Sequence, residues 1–256
     1  MEGKIALVTG AAGGIGAAVA RALGERGATV AVVDRDADGV LRTVQKLTAD
    51  GVRAEGFPTD LTDRAEVGDV VDVVEEVLGP VDHLVNAAGV LHLAEARHLT
   101  DQDWDATFAV NATGVFLMSR AVVNRMVPRG RGAIVTVASN AAGTARTHMA
   151  AYAASKAAAT MFTKCLGLEV ARHGIRCNVV APGSTDTPML SSMWHDASGR
   201  RGTVEGRPDE YRVGIPLGKL AGPDDIADAV TFLLSDQAGH ITLHSLTVDG
   251  GATLGS

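Results

Sequence analysis

Cysteine is nearly missing from this chain of 256 residues, which has only Cys165 and Cys177. Two are too few for a disulfide framework. The stretch between them reads as a helix end, Gly174 and a strand, without metal-ligand spacing. Two buried thiols in a reducing cytosol are therefore expected, and no metal. A basic excess is missing as well: 23 Lys and Arg stand against 30 Asp and Glu, for a formal net charge of −7. Phosphate backbones are bound by clustered Lys and Arg, so nucleic acid is excluded as the main partner. Long hydrophobic runs are also lacking. Stretches such as Ala31-Val32-Val33 and Ile134-Val135-Thr136-Val137 are strand-length, short of the roughly 18–20 residues of a bilayer helix. Met1-Glu2-Gly3-Lys4 enters an apolar run at Ile5 without a signal segment, so a cytoplasmic location and no membrane partner are expected. No internal repeat and no Pro/Ser-rich linker divides the chain, and residues 1–256 read as one domain.

What is present is the material of a large core, 46% hydrophobic and 21% charged residues. Short β-branched runs alternate with longer segments of helical period, the pattern of parallel strands joined by helical crossovers. Seven strands are expected, at Ile5–Thr9, Thr29–Asp34, Arg53–Pro58, His83–Asn86, Ala133–Ala138, Arg176–Ala181 and Leu246–Asp249. Helices are expected at Ile15–Arg26, Ala37–Ala49, Arg64–Leu78, Asp101–Val127, Ala150–His173 and Pro223–Leu234. Strands bare of polar residues fit a sheet covered by helices on both faces, an α/β doubly wound arrangement. Ser184–Gly214 breaks the pattern with Gly199, Gly202, Gly206, Pro208, several arginines and no sustained period. A structureless insertion of that length is expected to be functional or mobile, here a substrate lid.

Thr9-Gly10-Ala11-Ala12-Gly13-Gly14-Ile15-Gly16 follows the first strand and opens the first helix. Glycines there allow a tight turn and let backbone N–H groups, at Gly10, Gly14, Ile15 and Gly16, approach a pyrophosphate. The first gap is one residue longer than in the G-x-G-x-x-G fingerprint. Asp34 ends the second strand, where a carboxylate accepts from a ribose hydroxyl. A 2′-phosphate about 4 Å from that carboxylate would be repelled by at most roughly 4 kcal/mol at an effective dielectric near 20. NAD is therefore favoured over NADP, although Arg35 next door can turn toward a phosphate.

Tyr152 is one of two tyrosines, and Lys156 follows it by four residues on a helical segment, which places both on one face. A phenol of pKa near 10 needs about 3–4 kcal/mol of preferential phenolate stabilisation to act as a base near neutrality. Lys156 and a positively charged nicotinamide can supply it. Ser139 stands at the C-terminal end of the fifth strand, the edge at which open α/β sheets hold ligands.

Thr9–Gly16, Asn86-Ala87-Ala88-Gly89, Asn111, Ser139, Tyr152-Ala153-Ala154-Ser155-Lys156 and Pro182-Gly183, in this order, resemble the motif series of the short-chain dehydrogenase/reductase family over nearly the whole chain. The resemblance implies a Rossmann-type sheet and a catalytic set of Asn111, Ser139, Tyr152 and Lys156. In it the tyrosine is the acid/base, the lysine lowers its pKa and holds the nicotinamide ribose, the serine orients the substrate oxygen and the asparagine holds a relay water. It also implies Asp60 and Leu61 beside adenine, Asn86, Ala87 and Gly89 along the adenosine side, and Pro182, Gly183, Thr185 and Thr187 at the nicotinamide end.

Further segments, among them Leu84–Leu91, Phe108–Asn111, Ala133–Ser139, Arg176–Val180, Pro182–Thr187, Gly214–Lys219, His240–Leu243 and Val248–Gly251, resemble family members that act on a dihydroaromatic carboxylate. Those enzymes of catechol siderophore formation oxidise the C3 alcohol of 2,3-dihydro-2,3-dihydroxybenzoate with NAD, and the ketone tautomerises to the catechol. The alternatives are the 2-amino analogue trans-2,3-dihydro-3-hydroxyanthranilate, as in antibiotic biosynthesis, an NADPH-dependent ketoreductase of the same fold, and a non-catalytic nucleotide-binding regulator. Retention of Ser139, Tyr152 and Lys156 together speaks against the last.

A buried substrate carboxylate needs a cation. Arg146, between Ser139 and Tyr152, is the expected clamp, with Arg97 and the arginines of Ser184–Gly214 as competitors. His92 and His148 are weaker substrate contacts, and Met189 and Trp194 are placed to close over the ring. The Asp101–Val127 and Ala150–His173 helices are long, and Ala157, Ala158, Ala159 and Gly167 permit close contact on the second. By resemblance to the family, a homotetramer is expected.

Overall fold

Alternation along the apolar runs sets the architecture. The computed structural model describes residues 1–194, 196 and 198–255. Its main sheet is built of β1 (Ile5–Thr9), β2 (Thr29–Asp34), β3 (Ala54–Pro58), β4 (His83–Asn86), β5 (Gly132–Val137), β6 (Ile175–Pro182) and β9 (Ser245–Val248). The order is β3-β2-β1-β4-β5-β6-β9, and each of these neighbouring pairs is parallel. Successive side chains of a strand point to opposite faces. Val8, Val30, Val32, Val85 and Val135 accordingly pack with Val19 and Leu23 of α1 (Gly14–Glu25) and Ile226, Val230 and Leu233 of α9 (Pro223–Leu234). Leu7, Ala31, Val33, Leu84 and Ile134 pack on the other face with Val67, Val71 and Val74 of α3 (Arg64–Val77) and Leu117, Met118 and Met126 of α5 (Val115–Arg129). Each such side chain contributes roughly 1.5–3 kcal/mol by leaving water. That double burial is why the strands carry so few polar residues. Helix α2 (Ala37–Ala49) and α6 (Ala150–Val170) complete the layers.

The seven strands and six helical segments lie close to their sequence-derived bounds, with one division. The expected Asp101–Val127 helix is α4 (Asp101–Phe108), a π-helical turn at Ala109–Gly114, and α5. The wider turn carries Asn111, whose amide bonds both backbone groups of Val90 at 2.9 Å, a tertiary cause that helical periodicity does not encode. The whole stretch Asp101–Arg129 is long and apolar enough to cross a bilayer, a length the reading of strand-sized apolar runs overlooked. Half of its most apolar window is buried inside the fold, where Leu117, Met118, Val122 and Met126 are core residues.

Ser184–Gly214 is not structureless. It holds α7 (Pro188–Ser191), α8 (Gly199–Glu205) and a two-stranded antiparallel hairpin of β7 (Gly206–Arg207) and β8 (Arg212–Val213). Thr187 caps α7 by accepting from the Leu190 N–H, and Pro188 opens it at a position needing no N–H. Elements this short carry no periodicity, which is why the sequence pattern missed them. Cys177 is buried, but Cys165 lies on the outer side of α6 and is exposed, correcting the expectation of two buried thiols.

The order of the sheet reverses between β1 and β4. Ligands of open α/β sheets bind in the crevice outside the carboxyl ends at such a switch point.

Candidate active site

The crevice is a cavity of about 460 Å³ along the carboxyl edge of the sheet. Gly10 leaves β1 at φ +69°, and a Cβ there would lie 2.6 Å from the Ala88 backbone. A Cβ on Gly16 would come within 2.1 Å of the Gly10 carbonyl oxygen. Only glycine permits this close approach of backbones. The N-terminus of α1 beyond it has no acidic residue in its first turn and no side-chain cap. A concave backbone cradle at an uncapped helix start fits the pyrophosphate of a dinucleotide. Thr9, the first residue of the motif and given no role of its own in it, ties the two crossover loops together: its hydroxyl accepts from the N–H groups of Ala87 and Ala88. Only its place directly before Gly10 signals this.

Asp34 faces the same cavity, its carboxylate held by the N–H of Ala12 and the N–H of Asp36, both at 3.1 Å. Arg35 lines the cavity nearby. Two hydrogen bonds from Thr62 hold the Asp60 carboxyl below the usual range against the opposing effect of burial, with a lesser contribution from the charge of Arg35. Gly14, Ile15, Leu61, Ala87, Gly89, Pro182, Gly183, Thr185 and Thr187 line the cavity with them. Asn86 does not. Its side chain turns beneath the loop and donates to Ser119 and Thr136 hydroxyls, because β4 ends there with that side chain on the buried face.

Tyr152 and Lys156 share the inner face of α6, one helical turn apart. The Lys156 ammonium donates to the Val137 carbonyl at 3.0 Å and lies 5.8 Å from the centre of the Tyr152 ring. Ser139, two residues beyond β5, hydrogen-bonds the phenol and accepts from the Ala141 N–H. Burial pushes the phenol above its ordinary value, partly offset by the Ser139 bond, and burial lowers the Lys156 ammonium to about 8. Gly89 leaves room for this lysine, since a Cβ there would stand 3.2 Å from Nζ. A phenol, a hydroxyl and an ammonium thus converge on one wall of the cavity, an arrangement able to move a proton at a bound oxygen. Asn111 is placed differently: it is fully buried, its amide is committed to Val90 and Ser155, and it is not among the cavity-lining residues.

Arg146, Met149, Met189, Met193 and Arg212 line the outer part. A second cavity of about 300 Å³ adjoins it and shares Arg146, Met149, Met193 and Arg212. Arg97 is exposed and paired with Glu95 at 2.7 Å, away from both. His92 is not in the site, its ring bonding Thr107, whereas His148 lines the second cavity. Trp194 turns from the first cavity into the second, packs over Gly199 and donates to the Thr203 hydroxyl. Arg212 is the residue the sequence left unsingled, one arginine among several in an aperiodic stretch.

Residues 4–198 match the family model for short chain dehydrogenase. The chain belongs to the short-chain dehydrogenase family. It is 56% identical, over all of its length and 98% of the relative, to 2,3-dihydro-2,3-dihydroxybenzoate dehydrogenase of Bacillus subtilis. It is 43% identical, over all of its length and 99% of the relative, to the enzyme of the same name from Escherichia coli. Among solved structures, a gluconate 5-dehydrogenase from Burkholderia cenocepacia in complex with NADP and tartrate superposes with a TM-score of 0.92 at 32% identity, covering 99% of this chain and 96% of that one. This short-chain dehydrogenase is therefore an oxidoreductase of a family that uses a nicotinamide cofactor.

Proposed function

We propose that this short-chain dehydrogenase oxidises the C3 alcohol of 2,3-dihydro-2,3-dihydroxybenzoate with NAD to give, after aromatisation, 2,3-dihydroxybenzoate. The observation that carries the reading is the Tyr152, Ser139 and Lys156 wall facing a cavity whose outer end presents arginine. The names of the two bacterial relatives support the substrate.

Ser139 and Tyr152 hold the C3 hydroxyl, and the phenolate of Tyr152 takes its proton. Lys156, charged below about pH 8, offsets the burial that disfavours the phenolate. A nicotinamide, when bound, supplies the hydride acceptor for C3. The resulting ring ketone carries a hydrogen on C2; its loss as a proton, with a proton gained by the C3 oxygen, yields the catechol. Arg146 grips the carboxylate. Asn111, through its hold on Val90 and Ser155, fixes the loop after β4 against α6 and so acts as a positioning residue. Gly10, Gly14, Ile15 and Gly16 would hold the pyrophosphate, Asp60, Leu61, Ala87 and Gly89 the adenosine end, and Pro182, Gly183, Thr185 and Thr187 the nicotinamide end. Asp34 would accept from the adenosine ribose and repel a 2′-phosphate, the basis for NAD.

Residues 1–256 act as one domain, with 184–214 as its substrate lid and Met189 over the ring. Assembly is a cytoplasmic homotetramer through α4, α5 and α6. The support lies in Met161 and Leu168, seven residues apart on α6 and 60% and 71% exposed. Of the small residues that first suggested the contact, Ala159 and Gly167 are buried against the chain's own fold. Light scattering at micromolar concentration should give four chains; a monomer would refute this.

A second reading, an NADP-dependent enzyme of the ketoreductase kind, is favoured by Arg35 at the cavity and by the NADP in the solved relative. One experiment separates them. The enzyme is incubated with NAD or NADP and with each of 2,3-dihydro-2,3-dihydroxybenzoate and its 2-amino analogue, and the aromatic product is identified. Fast formation of 2,3-dihydroxybenzoate with NAD is expected; faster turnover of the amine, or with NADP, overturns the proposal.

A further inference from the structure

Arg212 reaches the cavity from a hairpin built for close approach. Gly206, at φ +94°, opens β7, and a Cβ there would lie 2.7 Å from the Gly214 N–H nitrogen, so the two strands can pair only with glycine present. Arg207 and Arg212 stand opposite each other in the register. Their fates differ: Arg207 pairs with Glu210 at 2.6 Å, while Arg212 turns inward and donates to the neutral Ser184 hydroxyl at 2.8 Å. Among the described residues, no carboxylate lies within ion-pair distance of Arg212 or of Arg146. Asp249 attracts Arg146, yet its own oxygens accept from Asn140, Gly251 and Thr253.

Arg146 and Arg212 thus face the same two cavities, both partly withdrawn from water; burial, then the charge of Arg146, disfavours the charge of Arg212, with Glu210 offsetting part of it. Two partly buried like charges, neither in direct contact with a carboxylate, are costly, and an anion between them lowers that cost. Other cations of the segment have their acids, as Arg200 has Asp186. Resting on the function proposed above, we infer that Arg212 is a second carboxylate-binding residue, which with Arg146 clasps the substrate's carboxylate from the lid side. Specificity for an acid then depends on the hairpin as well as on the loop before α6.

The test is calorimetric titration of the NAD-loaded enzyme with 2,3-dihydroxybenzoate and with catechol, which lacks only the carboxylate. Arg212→Gln should weaken binding of the acid by roughly 10- to 100-fold, the loss of a charge-assisted hydrogen bond, and leave catechol unchanged. Arg212→Lys should fall between, because it keeps the charge and loses the planar fork. Acid binding unchanged in Arg212→Gln while Arg146→Gln loses it would overturn the role of Arg212 alone. Equal weakening of acid and catechol would also overturn it, in favour of a structural role in the hairpin. A wild-type enzyme that prefers catechol or binds the two equally would overturn the carboxylate reading itself.

Discussion

The proposed dinucleotide end and the proposed substrate end of the cavity are built by different means. At the first, backbone does the work: Gly10 and Gly16 let main chains meet, and Asp34 is fixed by two N–H groups. At the second, side chains from distant segments meet: Arg146 from the loop before α6, Met189 from α7 and Arg212 from the hairpin. The Tyr152, Lys156 and Ser139 wall joins them. A backbone cradle accepts one kind of ligand across a family, while a side-chain clasp can change its ligand by single substitutions. The difference teaches where substrate identity resides.

The wall should give the largest effect. Tyr152→Phe removes the proton acceptor and keeps the ring, so kcat should fall by roughly 10²–10⁴-fold or more, with NAD affinity unchanged by titration. Near-normal turnover would show that the wall does not do the chemistry. Lys156→Met should stabilise the cofactor-free enzyme at pH 7 by up to about 3 kcal/mol in denaturant unfolding, because the buried ammonium has a pKa near 8 against about 10.5 unfolded. Its lowered value means the unfolded chain binds more protons between those limits, so the wild type gains stability as pH rises from 8 toward 10.5. The advantage of the variant should therefore shrink to under about 1 kcal/mol at pH 10; an equal gain at both pH values would contradict the assignment.

At the substrate end, Arg146→Ala should lower kcat/KM for the acid by about two orders of magnitude, the usual consequence of truncating one partner of a buried charge pair, with NAD affinity unmoved. Parallel losses for acid and NAD would erase the separation of the two ends. At the cofactor end, Asp34→Ala should give the smallest change. The ratio of kcat/KM for NAD over NADP should drop by roughly tenfold, since the ribose acceptor and the repulsion vanish together. An unchanged ratio would move the discrimination to Arg35.

Legibility in the sequence followed the same division. The glycine loop, Asp34, Tyr152 and Lys156 were readable because local spacing fixes them: a turn, a strand end and one helical step. Strand bounds were readable because both faces of the sheet are buried. Asn86 was misplaced because the side on which it leaves β4 depends on the register with β1, and the π-helical turn at Asn111 depends on a contact 21 residues away. Arg212 was indistinct because elements of two to seven residues leave no period, and only the folded hairpin separates it from Arg200 and Arg207.

The central claim is that the outer end of the cavity reads a carboxylate while the wall beside it moves the proton. Its most direct measurement is wild-type kcat/KM for 2,3-dihydro-2,3-dihydroxybenzoate against that of its neutral amide, with saturating NAD. Loss of the paired charge should disfavour the amide by about 100-fold or more. Equal turnover of acid and amide would contradict the account.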